Sequence, residues 1–193
     1  MIKYKLLKII MLALFLPVLS SCFGINFDIA LSNNGSGTIT LEYRIAKALD
    51  SIGRLDGNER WNTIPVGKAD FERSIDRLQN LKLISFSERE DERDLTFNAR
   101  IEFANMEALL AFLDASGGRS SFNGNAASGH LNLILSEGTV IQNQALDGLL
   151  SDIFEPYSFN MTFTFPDRRT ASYSYSIYDI LTSPDQIVID LNW

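Results

Sequence analysis

At 193 residues with 46% apolar side chains, the chain is long enough for one core that buries roughly 70% of its unfolded surface. Its formal charge is −7, and residues 1–21 hold three Lys and no Asp or Glu, so the remainder carries −10. A domain this acidic is repelled by nucleic acid and by anionic lipid head groups, which excludes electrostatic capture of either. The only histidine, His130, excludes a multi-histidine metal centre, and the only cysteine, Cys22, excludes an internal disulfide.

The first segment is an address. Lys3, Lys5 and Lys8 form a cationic leader, and an apolar run from Ile9 to Leu19 follows. The run is as long as a secretory h-region and falls short of the roughly 20 residues that cross a bilayer. It ends in Leu19-Ser20-Ser21-Cys22, a branched apolar residue and two small residues before Cys, the pattern at which lipoprotein precursors are acylated and cut. The expectation is a lipoprotein signal peptide over 1–21, a lipidated Cys22 with a short tether over 22–25, and one domain over 26–193. Two or more acyl chains give stable anchoring where one is marginal. The expected location is the non-cytoplasmic side of a bacterial membrane, held there by lipid.

The domain opens on period-2 alternation, which marks strands with one buried face. Phe27, Ile29 and Leu31 alternate with Asn26, Asp28 and Ser32; after Asn33-Asn34-Gly35-Ser36, Ile39, Leu41, Tyr43 and Ile45 alternate with Thr38, Thr40, Glu42 and Arg44. Asn-Gly supplies the positive φ that a tight turn needs, so the two runs pair as a hairpin. A long connection, Asp50–Gly67, carries Trp61. Over Lys68–Asn80 the spacing becomes helical, with Phe71, Ile75 and Leu78 on one face. A second hairpin runs from Lys82 to Phe103 and turns at Glu90-Asp91-Glu92. Asn105 is placed to cap a helix with apolar Leu109, Leu110, Phe112 and Leu113. A Gly/Ser/Asn-rich connection, Ser116–Gly129, leads to a strand with Leu131, Leu133 and Leu135. Asn143–Phe154 reads as a third helix that gathers Leu146, Leu149, Leu150, Ile153 and Phe154. Three strands close the chain: Phe159/Met161/Phe163/Phe165, Tyr173/Tyr175/Ile177 and Ile187/Ile189/Leu191/Trp193. The sum is an α+β domain of two layers, a mainly antiparallel sheet with about three amphipathic helices packed on one face.

The lipidation motif, the strand ending in Asn-Asn-Gly-Ser-Gly before Thr38-Ile39-Thr40-Leu41, the Phe163-Thr164-Phe165-Pro166 run and the closing Trp193 together resemble the LppM-domain family of bacterial lipoproteins. That resemblance implies an envelope protein, with lipid or lipoglycan binding proposed for some members, and it brings no catalytic residues.

Few side chains suggest chemistry. His130 has no Gly-x-Ser-x-Gly elbow or free cysteine beside it, so a nucleophilic triad is not expected. Ser87–Asp94 holds five carboxylates in eight residues, but Arg89 and Arg93 alternate with them and no EF-hand spacing is present. No phosphate-binding glycine pattern occurs. The expectation is no enzyme, no metal and no cofactor.

The suggestive set is aromatic. Phe159, Met161, Phe163, Phe165, Tyr173 and Tyr175 share a sheet face, with Trp61 as a plug or lid. They either fill a core or line a gap that admits an acyl chain, with tyrosine hydroxyls as polar groups at its mouth. The expected function is therefore a non-enzymatic envelope lipoprotein that binds a lipid or other hydrophobic ligand between sheet and helices. The alternative is a structural or adaptor lipoprotein that docks another envelope protein through its Thr/Ser/Asn-rich sheet face or long loops.

Overall fold

Asn34 and Gly35 close the first hairpin. Gly35 takes φ 83°, and Asn34 Oδ1 accepts hydrogen bonds from Ser36 N at 3.1 Å and Ser36 Oγ at 2.7 Å. The turn sets Leu31 opposite Gly37 and pairs β1 (Phe23–Leu31) with β2 (Gly37–Ala46). The computed structural model describes residues 23–47, 67–92, 94–114, 118–125, 128–139 and 144–193. Trp61 and Cys22 lie outside the described residues.

The remaining elements follow in chain order: α1 (Lys68–Asp76), β3 (Leu81–Glu90), β4 (Asp94–Phe103), α2 (Met106–Leu113), β5 (Ser121–Gly124), β6 (Gly129–Ser136), α3 (Gln144–Phe154), β7 (Tyr157–Thr164), β8 (Thr170–Ser176), α4 (Ile177–Thr182) and β9 (Ile187–Asn192). The fold is α+β, with a six-stranded sheet in the order β3-β4-β2-β1-β7-β8 and a separate three-stranded sheet in the order β5-β6-β9. Among the described strands all pairings are antiparallel except β1 with β7, which run parallel inside the large sheet.

Register aligns the apolar side chains in rows across the large sheet. One row is Phe163, Ile29, Ile39, Ile101, and the next is Met161, Phe27, Leu41, Ala99. The first row is sealed, each member 0% or 1% exposed. Leu131, Leu133, Ile189 and Leu191 of the small sheet join the same buried cluster. The large sheet is covered on one face by a composite layer of α1, α2, the small sheet and α4, and its other, polar face is open to water except around Asp94 and Thr96, which are buried.

Local chemistry accounts for the helices. Asn105 caps α2 as expected, its Oδ1 accepting from Ala108 N at 2.8 Å. Such a cap satisfies one of the donors left open at a helix start. The Lys68–Asp76 helix buries Phe71 and Ile75, as its spacing requires.

Three expectations change. The strand expected through Ile177 stops at Ser176, whose Oγ accepts from Asp179 N at 3.4 Å and starts the extra helix α4. The third helix does not cover the sheet: Leu146 is 46% and Leu149 54% exposed, because the small sheet and α4 already occupy that face. The tether expected over 22–25 is largely strand, since β1 begins at Phe23. Gly24 explains how: a Cβ there would sit 1.8 Å from the Ser158 carbonyl oxygen, so only glycine lets β1 and β7 approach this closely.

Candidate apolar cavity

The Met161, Phe27 and Leu41 part of the next row borders a gap, with Phe27 only half-buried. A cavity of about 440 Å³ lies between this half of the large sheet and the layer that covers it. The sheet supplies Ile25, Phe27, Leu41, Tyr43, Phe159 and Met161. The cover supplies Phe71, Ser74, Ile75 and Leu78 from α1 and the turn after it, Phe112 and Leu113 from α2, Leu135 from β6, and Ile180 from α4. Among the described lining residues, Ser74 and Tyr43 bring polar side-chain atoms.

The elements hold these walls apart. Tyr43 stacks on Phe97 with ring centroids 4.8 Å apart and on Phe71 at 5.9 Å, and Phe71 meets Phe86 at 5.3 Å. Four interlocked rings fix α1 over β2, β3 and β4. On the other flank Phe27 and Phe159 contact at 5.6 Å. Each such pair contributes roughly 0.5–1.5 kcal/mol beyond its burial, so the walls are braced from both sides. The gap is partly open to solvent, and its mostly apolar walls offer water few hydrogen-bond partners and favour an apolar guest.

The expected site residues divide. Phe159 and Met161 line the cavity. Phe163, fully buried, belongs to the sealed row. Phe165 lies just past β7, stacked on Trp193 at 5.5 Å and capped by the Arg169 guanidinium at 5.8 Å from its centroid. Trp193 also stacks on Phe122 at 5.7 Å. The tyrosine hydroxyls are engaged away from the cavity: Tyr173 donates to the Asp190 carbonyl at 3.1 Å and Tyr175 to the Val188 carbonyl at 3.3 Å. They pin the edge of the large sheet to β9. Burial, and then the nearby Tyr175 and Asp190, push the Tyr173 hydroxyl pKa up. The cavity residues that the sequence did not single out, Tyr43, Phe71, Phe112 and Ile180, come from four different elements. Their convergence depends on tertiary packing.

Several polar side chains pair with one another at the surface. His130 Nε2 lies 3.0 Å from Asp190 Oδ2, and Asn192 Nδ2 donates to Asp190 Oδ1 at 3.1 Å. The His130 hydrogen bond holds the Asp190 carboxyl below the usual carboxylate range. Glu90 of the acidic hairpin pairs with Lys47 at 2.6 Å. Among the described residues no three His, Cys, Asp or Glu side chains converge as a metal site requires.

The water-facing side of the large sheet carries a hydrogen-bonded ladder. Ser174 Oγ donates to Asn160 Oδ1 at 2.7 Å, and Asn160 Nδ2 donates to Asn26 Oδ1 at 2.9 Å. Beside it is a shallow depression of about 390 Å³ with Asp28, Thr40, Glu42, Asn98 and Thr162 on its walls. No described helix is long and apolar enough to cross a membrane. Comparison with family models, curated proteins and solved structures finds no match to this chain.

Proposed function

We propose that this chain is a lipid-anchored envelope protein of the kind the LppM-domain resemblance implies, and that it carries a hydrophobic, acyl-like ligand rather than catalysing a reaction. The observation that carries the reading is the 440 Å³ cavity whose described lining is mostly apolar. Ligand sites of this kind range over roughly 300–1,000 Å³, with few polar groups. None of the described lining residues is Lys, Arg or His. A guest would therefore enter by its hydrocarbon part and leave any charged head outside, since an unpaired charge in such a space carries a large desolvation cost. The Leu19–Cys22 motif supports the anchor, which would keep the cavity close to a source of lipid.

The test is titration of the unacylated domain, residues 23–193, with a fluorescent fatty acid or phospholipid. Saturable one-to-one binding is expected, and linear, unsaturable uptake would overturn the reading. A second reading, adaptor docking, is favoured by the polar depression beside the Asn160 ladder. It predicts that Asn98→Arg on the sheet face breaks a complex while ligand binding persists.

A further inference from the structure

We infer that α3 is an interfacial helix, which lies on the lipid surface that holds Cys22 and turns Leu146 and Leu149 into it. This rests on the proposed anchoring of Cys22 and adds an orientation to it.

The first observation is where the fold begins. β1 starts at Phe23, with no intervening linker, and Phe23 pairs with Tyr157 at the start of β7. An acylated Cys22 would be one residue, about 3.8 Å, from the sheet, so the anchor leaves this end of the domain no room to drift from the bilayer. The second observation is what gathers at that end. α3 finishes at Phe154, three residues before Tyr157, which places its last turn within about 20 Å of Cys22 by chain and strand spacing. Phe154 also meets the Tyr157 ring at 6.4 Å. The third observation is the exposure of the helix. Leu146 and Leu149 are the two large apolar side chains of α3 that remain 46% and 54% exposed, and at 100° per residue they share one stripe. Asp147 points elsewhere, accepting from Tyr178 Oη at 2.7 Å, which fixes α3 on α4 and sets the direction of the stripe.

Charge selects the kind of surface. α3 carries Asp147 and Asp152, with Glu155 just beyond it, and no Lys or Arg. An anionic head-group layer would repel it, so its partner is a zwitterionic lipid surface, bound through apolar contact and not through counter-charges. The cavity lies in the same half of the large sheet, on Ile25, Phe159 and Tyr43. Docking by α3 therefore brings the cavity down to the lipid.

The experiment uses the full-length acylated protein on phosphatidylcholine vesicles. Cys22 is the only cysteine, so Leu149→Cys provides the one free thiol for an environment-sensitive fluorophore. Asn123→Cys on β5 serves as the distant reference: its neighbour Phe122 stacks on Trp193, and Trp193 on Phe165 just past the far end of β7, about 23 Å from Tyr157 by strand rise. Lipids brominated on their acyl chains should quench the Leu149 probe at least threefold more than the Asn123 probe. Adding Leu146→Gln should lower that quenching without releasing the protein from vesicles. Equal quenching of both probes, with acyl label present on Cys22, would overturn the docking and leave the anchor standing. No acyl label on Cys22 and no vesicle association would overturn the anchor, and the docking with it.

Discussion

Met161→Trp and Ala99→Phe add rings at the two ends of one row on the same sheet face, three strands apart, with opposite expected outcomes. Ala99 is 2% exposed, faces Leu41 and Phe86 directly across its neighbouring strands, and does not border the cavity. A ring forced in there overpacks a closed region, at a cost of about 1–3 kcal/mol. For a domain of this size each kcal/mol lowers the melting midpoint by about 2–4 °C, so Ala99→Phe should melt roughly 5 °C early. Met161 is as well buried, at 1%, but lies in the wall of the cavity. The indole can enter that space, so its midpoint should fall by less than about 2 °C on the same scale. It would also occupy the volume intended for the guest, and fluorescent fatty-acid binding should weaken at least about tenfold, or 1.4 kcal/mol. Calorimetry and a binding titration on the two variants read both quantities. Equal destabilisation by the two substitutions, with binding unchanged by Met161→Trp, would refute the cavity as the binding site.

Cys22→Ser in the full chain should abolish incorporation of palmitate label and leave an uncut precursor; label retained by that variant would contradict acylation at Cys22. Melting the domain in chelator and then in millimolar calcium should give one midpoint, because Glu90 is already paired with Lys47. A metal that bound the native state at a hundredfold excess over its dissociation constant would add about 2.7 kcal/mol, an easily seen shift. The carboxyl of Asp190 is held below its ordinary range by His130, so the folded state favours the ionised form more than the unfolded chain does. That contribution is present above the unfolded pKa of about 4 and is lost as pH falls through the lower folded value. Asp190→Asn should therefore flatten the acid limb of the midpoint-versus-pH curve, and an unchanged limb would show that the pair contributes nothing.

Much of the strand architecture was legible because period-2 alternation is local. Phe27, Ile29 and Leu31, or Leu95, Phe97 and Ala99, declare their faces without knowledge of partners. Asn34-Gly35 and Asn105 declared a turn and a cap for the same reason. The division into two sheets was not legible, since alternation says nothing about which strand lies beside which. The parallel β1–β7 pair joins residues more than a hundred positions apart. β5 was hidden in the expected loop because its four residues, Ser121–Gly124, offer one apolar side chain, Phe122. Helical spacing misled at α3. Leu146 and Leu149 share a stripe as a core-facing helix would, yet whether a stripe is buried depends on which elements reach the sheet first. The candidate site was half visible for a related reason: Phe159 and Met161 sit on a strand with a clear pattern, whereas Phe71, Phe112 and Ile180 reach the cavity from elements whose packing partners no local pattern specifies.

The most direct test of the ligand reading is native mass spectrometry of the unacylated domain purified from cells without detergent. The account predicts a population heavier by one lipid-sized adduct, released on collisional activation and absent from Met161→Trp. A folded domain that appears only at its own mass, and that takes up no fatty acid when one is supplied, would contradict it.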